Sequence, residues 1–205
     1  GNFPEKSASQ VLREFNQQNI QNRSAINGGG SWTNAGPGTS NGGYAGIGRL
    51  NCIGFHPSDN NTFWVGAPAG GVWKTTDGGN NWSVSTDDND VLGVSTIAVH
   101  PDYDNNQTLF IGTGDRDGGS MSSMGGGQSS DNYSIGILKS TNGGNSWSTT
   151  GLTFATSQKR TLNEILIHPN NPQIMLAATS VGIFKSTDGG ASWNVKIEAA
   201  GGYYI

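Results

Sequence analysis

Acidic side chains beside glycine pairs are the residues of this sequence whose types and spacing could do chemistry most directly. Asp77 lies in the stretch KTTDGGNNW, residues 74–82, between a lysine and a tryptophan. A carboxylate in a glycine-rich turn is compatible with a ligand loop, with a calcium loop or with a turn that only connects two strands. The rest of the sequence has to distinguish these three interpretations.

The same stretch occurs three times, which favours the structural interpretation. KSTNGGNSW covers residues 139–147 and KSTDGGASW covers residues 185–193. Asn142 replaces the acid in the second copy, and an amide offers a turn-forming oxygen but no catalytic or metal-binding charge. We predict hairpin turns in which the glycines tolerate positive φ and the tryptophan buries its ring beneath the turn. The residues given this structural role are Asp77, Gly79, Trp82, Asn142, Gly144, Trp147, Asp188, Gly190 and Trp193.

A His-Pro pair precedes each turn and sets the length of the repeat. His56 and His100 are 44 residues apart, and His168 occupies the same place in the third copy. Two short runs of β-branched and aromatic residues separate each His-Pro pair from the following glycine pair, as expected of strands. A period of about 45 residues with four strands is typical of a β-propeller blade. The sequence predicts an all-β fold with about three four-stranded blades, at residues 47–88, 93–150 and 160–198.

The histidines are interpreted as turn residues, because one histidine per blade cannot converge on a metal as a local cluster would.

Outside the blades, residues 1–26 are a polar lead-in segment with a short helical period. NGGGSW at residues 27–32 echoes NGGNSW, and we expect residues 27–38 to be an outer strand that closes the ring. Since a propeller needs about four to eight blades, the ring is expected to continue beyond residues 27–205. A three-blade unit that oligomerises is the alternative, which the unmatched ends disfavour.

Composition excludes several classes of function. Eleven Lys and Arg residues and a net charge of −4 give no basic surface for nucleic acid. No apolar run approaches the roughly 20 residues of a membrane helix, so no membrane insertion is expected. The first ten residues lack the apolar region of a signal peptide. Cys52 is the one cysteine, so the redox compartment stays open, and it is interpreted as a buried small apolar residue.

Two regions outside the turns carry residues that can bind a ligand. Asp115, Asp117 and Asp131 flank a long insert rich in Gly and Ser, where the alternatives are a solvated loop, a calcium site or a ligand-contact loop. Arg116 can contact a ligand or pair with a neighbouring acid. Arg49 opens the first inner strand, where it can face the central channel as a ligand contact or form a salt bridge. No catalytic residue and no cofactor other than calcium is predicted.

The repeated turns resemble the Asp-box, also called the BNR repeat, and the chain resembles Asp-box β-propellers from about Trp32 onward. Such propellers occur in sialidases, in xyloglucan-cleaving hydrolases and in the luminal domain of sortilin. The resemblance implies that the box is a structural hairpin away from the active face. In the xyloglucan-cleaving relatives a catalytic Asp precedes a Gly-Gly pair in the first blade, where this chain has Pro68 and Ala69. The Arg-Ile-Pro motif of sialidases is also missing.

The stretch from GPGTSNGGYAGIGRLNCIGFHP to the first KTTDGGNNW resembles large secreted propeller proteins of bacteria that use type IX secretion. The resemblance implies a secreted or cell-surface location and translocon components as partners. We expect a non-catalytic binding or scaffold propeller with a glycan or protein ligand. The alternative is a secreted glycoside hydrolase whose catalytic carboxylates lie partly outside these residues.

Overall fold

The computed structural model describes residues 49–84, 86, 93–115 and 132–198, all within the compact unit Gly48–Ile205. They form three four-stranded antiparallel meanders, which we call the first, second and third blades. The all-β prediction with four strands per repeat is confirmed. Among the described residues, no helix is long and apolar enough to cross a membrane.

The strands follow one another along the chain in each blade. The first blade consists of β1 (Cys52–Phe55), β2 (Phe63–Gly66), β3 (Val72–Thr75) and β4 (Ser83–Val84). The second consists of β5 (Val94–Val99), β6 (Leu109–Thr113), β7 (Gly136–Ser140) and β8 (Ser148–Thr153), with one helical turn, α1 (Tyr103–Asn106), between β5 and β6. The third consists of β9 (Leu162–Ile167), β10 (Met175–Thr179), β11 (Gly182–Ser186) and β12 (Asn194–Glu198), and a 3-10 helix, Thr156–Gln158, precedes it.

The apolar core lies between the blades rather than inside any one of them. Successive side chains of a strand point to opposite faces, so a blade packed on both sides must be apolar on both. The second blade meets this condition, since all five residues of β6 are buried. One cluster joins the first and second blades, through Trp64, Val72, Val94, Ile97, Tyr103, Leu109, Ile111 and Leu138. The other joins the second and third blades, through Ala98, Phe110, Ile137, Leu152, Phe154, Leu162, Ile165, Met175 and Ala177.

The three Gly-Gly turns, residues 77–82, 142–147 and 188–193, share the hydrogen bonds made by the acid or amide at their start. In the third, Asp188 Oδ1 accepts from the Ser186 hydroxyl at 2.7 Å and from the Ser192 N–H at 2.9 Å. The Ser186 hydroxyl oxygen in turn accepts from the Gly190 N–H at 2.9 Å. Gly189 and Gly190 have φ of 67° and 89°, a region that glycine enters without steric cost. The turn is therefore built from one carboxylate, one hydroxyl and two glycines.

The tryptophan that ends each turn differs in its hydrogen bonding. The Trp82 and Trp193 indole N–H groups donate to Gly79 O at 2.9 Å and to Gly190 O at 3.1 Å. The Trp147 Nε1 is buried with no acceptor among the described residues. All three tryptophans lie immediately before the fourth strand of their blade. The prediction that each ring is buried beneath its turn is wrong for Trp82, which is 40% exposed.

Replacing Asn142 by aspartate is expected to stabilise the protein modestly at neutral pH. Asn142 Oδ1 already accepts from the Ser140 hydroxyl and the Ser146 N–H, both at 2.9 Å. In the sister turn, donation from Ser192 and Ser186 lowers the pKa of Asp188 to about 2, so these donors favour a charged acceptor. Asn142→Asp gains this interaction. The Asn142 amide now donates to the Ser146 hydroxyl, and in the variant the Ser146 hydroxyl would donate to the carboxylate instead.

The pH dependence of this gain has a definite sign. A carboxylate with a lowered pKa in the folded state stabilises above its ordinary value of 3.8 and loses that contribution as pH falls towards about 2. Thermal unfolding at neutral pH and at pH 3 should therefore show a higher midpoint for Asn142→Asp at neutral pH and a smaller difference at pH 3. Asp188→Asn is the matched reverse variant. It should be less stable than the parent at neutral pH, and the difference should be smaller at pH 3. An Asn142→Asp protein less stable than the parent at neutral pH would contradict the account.

Candidate binding rim at Arg49 and Asp115

The meander sorts the loops onto two rims of the blades. The described residues that follow β2, β6, β8 and β10 lie at one rim, which we call the connecting rim. The His-Pro loops and the Gly-Gly turns lie at the other, which we call the turn rim. This separation follows from antiparallel pairing alone, because consecutive connections of a meander alternate between its two edges. Binding residues concentrate on loops presented by a rigid scaffold, and both rims carry such loops.

Arg49 and Asp115 form an ion pair at the connecting rim, between the first and second blades. The Asp115 side chain is 4% exposed and that of Arg49 is 36% exposed. Asn51 Nδ2 also donates to Asp115 Oδ1 at 3.2 Å and to Val94 O at 3.1 Å. Both carboxylate oxygens are thus engaged by groups from the start of the first blade. This buried carboxylate, with its cationic partner and its amide donor, therefore joins the first and second blades.

Backbone hydrogen bonds extend this contact along the rim. Gly114 N–H donates to Gly93 O, and Asp115 N–H donates to Asn132 O, both at 2.8 Å. The Asn132 amide donates to Pro68 O at 2.6 Å, and Ser134 N–H donates to Arg160 O at 2.9 Å. The rim therefore connects all three blades through a continuous set of polar contacts, and the ion pair lies at its buried end.

Replacing Asp115 by asparagine is expected to destabilise the protein by about 1–3 kcal/mol. Breaking a fully buried pair costs about 3–5 kcal/mol, and the one-third exposure of Arg49 lets water compensate part of that loss. Asparagine keeps the shape and one acceptor, so the variant tests the charge. Urea unfolding of Asp115→Asn should show the loss, and Asp102→Asn, an exposed acid in the turn after His100, should stay within about 0.5 kcal/mol of the parent. A double-mutant cycle with Arg49→Gln should show that the two losses are coupled, and additive losses would contradict the pair.

A shallow apolar groove of about 390 Å³ adjoins Arg49 on the outer face of the first blade. Its lining consists of Arg49, Leu50, Val65, Ala67, Trp73 and Trp82. The Trp73 N–H donates to Gly70 O at 2.7 Å and the Trp82 N–H is also satisfied, so both indoles present apolar surface. A groove without further polar groups suits an apolar protein surface better than a hydroxyl-rich ligand.

A Ser-His-Asp group lies at the turn rim, where sequence reasoning did not find one. The Ser58 hydroxyl is 2.8 Å from both oxygens of Asp104, and His56 Nε2 is 3.6 Å from Asp104 Oδ1. His56 Nδ1 accepts the backbone N–H groups of Ser58 at 3.3 Å and Asp59 at 3.1 Å. The Ser58 hydroxyl also lies 3.4 Å from His56 Nδ1, but that nitrogen already accepts two backbone N–H groups and the hydroxyl donates to the Asp104 carboxylate. This arrangement differs from the serine-to-histidine hydrogen bond of a hydrolase. It instead connects the first His-Pro loop to α1.

The same use of Nδ1 recurs in the other two His-Pro loops. His100 Nδ1 accepts the Asp102 N–H at 3.0 Å, and His168 Nδ1 accepts the N–H groups of Asn170 and Asn171 at 3.2 and 3.1 Å. Burial lowers the pKa of His100, which favours the neutral ring that can accept these bonds. These geometries give the histidines a turn-forming role in every blade.

The remaining predicted site residues divide between described and undescribed parts of the chain. Arg116, Asp117, Asp131 and residues 27–38 lie outside the described residues. Asp115 is described, and its two oxygens accept hydrogen bonds from Arg49 and Asn51. Within the described ranges, no group of three or more His, Cys, Asp or Glu side chains is arranged to hold a metal ion. Cys52 is half-buried on β1 and forms no disulfide there.

Comparison with solved structures identifies the fold as a β-propeller, which confirms that prediction. An ancestral GH74 enzyme aligns with a TM-score of 0.57 and 22% identity over 72% of this chain and 18% of its own. The GH74 enzyme of Niastella koreensis aligns with a TM-score of 0.52 and 18% identity over 82% of this chain and 25% of its own. YCF48 from Cyanidioschyzon merolae aligns at 0.48 with 21% identity over 72% of this chain and 39% of its own. The chain thus spans a quarter or less of the two GH74 enzymes. No protein-family model and no curated protein sequence matches it.

Proposed function

We propose that the chain belongs to a non-catalytic β-propeller that binds a protein or glycan ligand. The observation that supports this is the state of Asp115, the acid described at the connecting rim beside the first blade. Its carboxylate is 4% exposed and held by Arg49 and Asn51, an environment that suits a structural contact. Glycoside hydrolysis needs two carboxylates that flank the scissile bond, one of them free to donate a proton. The adjoining loop has Pro68 and Ala69 where the resemblance to xyloglucan-cleaving propellers implies a catalytic acid.

The experiment measures binding and turnover together. The chain is incubated with a panel of soluble polysaccharides, including xyloglucan, and retardation on affinity gels is compared with release of reducing ends. We expect no release of reducing ends, with or without retardation. Turnover that is lost in Asp115→Asn and kept in Asp102→Asn would overturn the non-catalytic assignment and favour the hydrolase alternative. Retardation by one polysaccharide would assign the glycan ligand, and its absence across the panel would assign the protein ligand.

The proposal includes a secreted or cell-surface location reached by type IX secretion. Its support is the resemblance of the first-blade sequence to bacterial propellers exported by that route, and the same resemblance gives the Gly-Gly turns their interpretation as Asp-boxes. Translocon components are then transient partners of the complete protein. Fractionation of a bacterium that expresses the complete protein, with and without a working type IX translocon, tests this part. Equal surface amounts in both strains would overturn it.

A further inference from the structure

A polar groove lies between the second and third blades, on the side of the Gly-Gly turns. Its volume is about 370 Å³, which is within the range of ligand pockets. Its walls are the end of β7, the first half of β8 and the third Gly-Gly turn, through Lys139, Thr149, Thr150, Gly151, Asp188, Gly189, Gly190 and Ala191. Both walls belong to described blades that pack on each other, so the groove is a feature of an internal interface.

The corresponding contact between the first and second blades is filled by two side chains. Lys74 Nζ donates to Gly143 O, in the second Gly-Gly turn, at 3.3 Å. A Cβ atom placed on Gly143 would lie 2.8 Å from the Tyr103 hydroxyl, so the tyrosine of α1 reaches the same turn. The lysine of this interface thus has an acceptor, and the tyrosine occupies the space beside the turn.

The contact between the second and third blades lacks both features. Lys139 occupies the repeat position of Lys74 and lies over the Phe110 ring, 5.5 Å from its centroid, but has no hydrogen-bond acceptor among the described residues. The His-Pro loop of the third blade is two residues shorter than that of the second, and it contains no tyrosine to take the place of Tyr103. The groove is therefore a local departure from the repeat, and its lysine can accept a new partner.

The walls of the groove carry one charge of each sign. Donation from Ser192 and Ser186 lowers the pKa of Asp188 to about 2, so this carboxylate is charged at neutral pH. Its hydrogen bonds with these two serines use three of the roughly four acceptor positions of a carboxylate, which leaves room for one more donor. The Thr149 hydroxyl makes no hydrogen bond within the described part of the chain, and it can donate or accept.

We propose that this groove binds an uncharged, hydroxyl-rich sugar residue of a glycan, which rests on the proposed binding function and narrows its ligand. A sugar hydroxyl both donates and accepts, so one hydroxyl can accept from Lys139 while its neighbour donates to Asp188. An anionic ligand would be repelled by Asp188 and a cationic ligand by Lys139. The pair of opposite charges thus selects against both kinds of charged ligand.

Titration of the protein with neutral and charged oligosaccharides tests the ligand class. The neutral probes are cellotetraose, mannotetraose and xylotetraose, the anionic probe is tetragalacturonate, and the cationic probe is the glucosamine tetramer at mildly acidic pH. Calorimetry gives the affinities, and the backbone N–H signals of the isotope-labelled protein locate the site. We expect a neutral probe to bind more tightly than either charged one and to shift the signals of Gly151, Gly190 and Ala191.

Two variants test the side chains of the groove. Lys139→Met removes the ammonium group and keeps an unbranched stem over Phe110, and it should weaken binding about tenfold through loss of a charged donor. Thr149→Val is nearly isosteric and should weaken binding about threefold. Lys74→Met makes the same change at the same repeat position of the first interface, so it is the matched control and should bind like the parent.

Each result decides the proposal. Absence of binding by all neutral probes would overturn it, as would tighter binding of a charged probe. Equal affinity of Lys139→Met and the parent, or an equal loss in Lys74→Met, would also overturn it. Signal shifts confined to residues outside the groove would do so even if the variants fail to fold. Release of reducing ends from a bound probe would instead overturn the non-catalytic function and leave the groove as a binding site, so the two failures are distinguishable.

Discussion

Replacing Trp64 by alanine is expected to destabilise the protein by about 3–5 kcal/mol, among the largest effects of any single side-chain truncation in this fold. Trp64 is fully buried between the first and second blades. Its ring packs edge-on against Tyr103 with centroids 5.0 Å apart, and its indole N–H donates to Gly143 O at 3.4 Å. The truncation leaves a cavity that rigid strands on both sides cannot fill. It also removes the surface on which the Lys74 stem and ammonium lie.

Trp64→Phe is the matched control, because phenylalanine is the residue at the same position of the second blade, Phe110. It keeps an aromatic ring in the site, so its loss of stability should be about 1–2 kcal/mol smaller than that of the alanine variant. Urea unfolding of the parent and of both variants gives the two differences. A Trp64→Ala protein within about 1 kcal/mol of the parent would show that the first two blades do not form one cooperative unit.

The Gly-Gly turn illustrates what periodic sequence can predict. Three copies aligned without the structure identify the acid position, the glycines and the tryptophan, and the Asn142 copy separates a structural oxygen from a reactive one. The hydroxyl two residues before the acid was visible in the same alignment and received no role. Thr75, Ser140 and Ser186 turn out to bond both the acid and the second glycine N–H, as in the pair at 2.9 Å between Gly79 N and Thr75 Oγ1. Local hydrogen bonds of this kind are repeated with the sequence and are predictable from it.

Contacts between blades cannot be predicted in this way, because they join residues that are far apart in the sequence. Arg49 and Asp115 are 66 residues apart and were considered separately, one as a ligand contact and the other as a metal ligand. Ser58 and Asp104 are 46 residues apart, and their contact with His56 depends on how two blades pack. The period predicts which strand each residue belongs to. It leaves undetermined the angle and offset between blades, which set these distances.

The repeated sequence also does not predict how burial at equivalent positions differs between the blades. Leu176 and Phe110 follow the same pattern, and their exposures differ because only one of them has a following blade in the described part. An alignment of the three copies would assign all of them to the core. The burial of each copy is therefore known only from the structure.

Replacing Gly136 by alanine is expected to destabilise the protein by about 3 kcal/mol or more. Gly136 begins β7 with φ of 109°, where an L side chain is strained. A Cβ atom there would lie 2.1 Å from Leu152 O and 2.7 Å from Thr153 Cα, which are backbone atoms of the neighbouring strand β8. The register between β7 and β8 shifts at this point, so the strands meet closely around the glycine. The backbone is also held by Gly136 N–H donation to Ser134 Oγ at 2.9 Å and by Thr113 Oγ1 donation to Gly136 O at 2.8 Å.

Gly189→Ala separates the two causes of that loss. Gly189 also has a positive φ, 67°, but a Cβ atom there would meet only the end of the Gln173 side chain, at 3.2 Å. It should lose about 1 kcal/mol for the backbone conformation, because the amide of Gln173 can move away. The excess loss in Gly136→Ala, measured by urea unfolding of both variants, is then the cost of forcing β7 and β8 apart. Equal losses would mean that β8 adjusts at no cost, which would contradict a rigid second blade between its two neighbours.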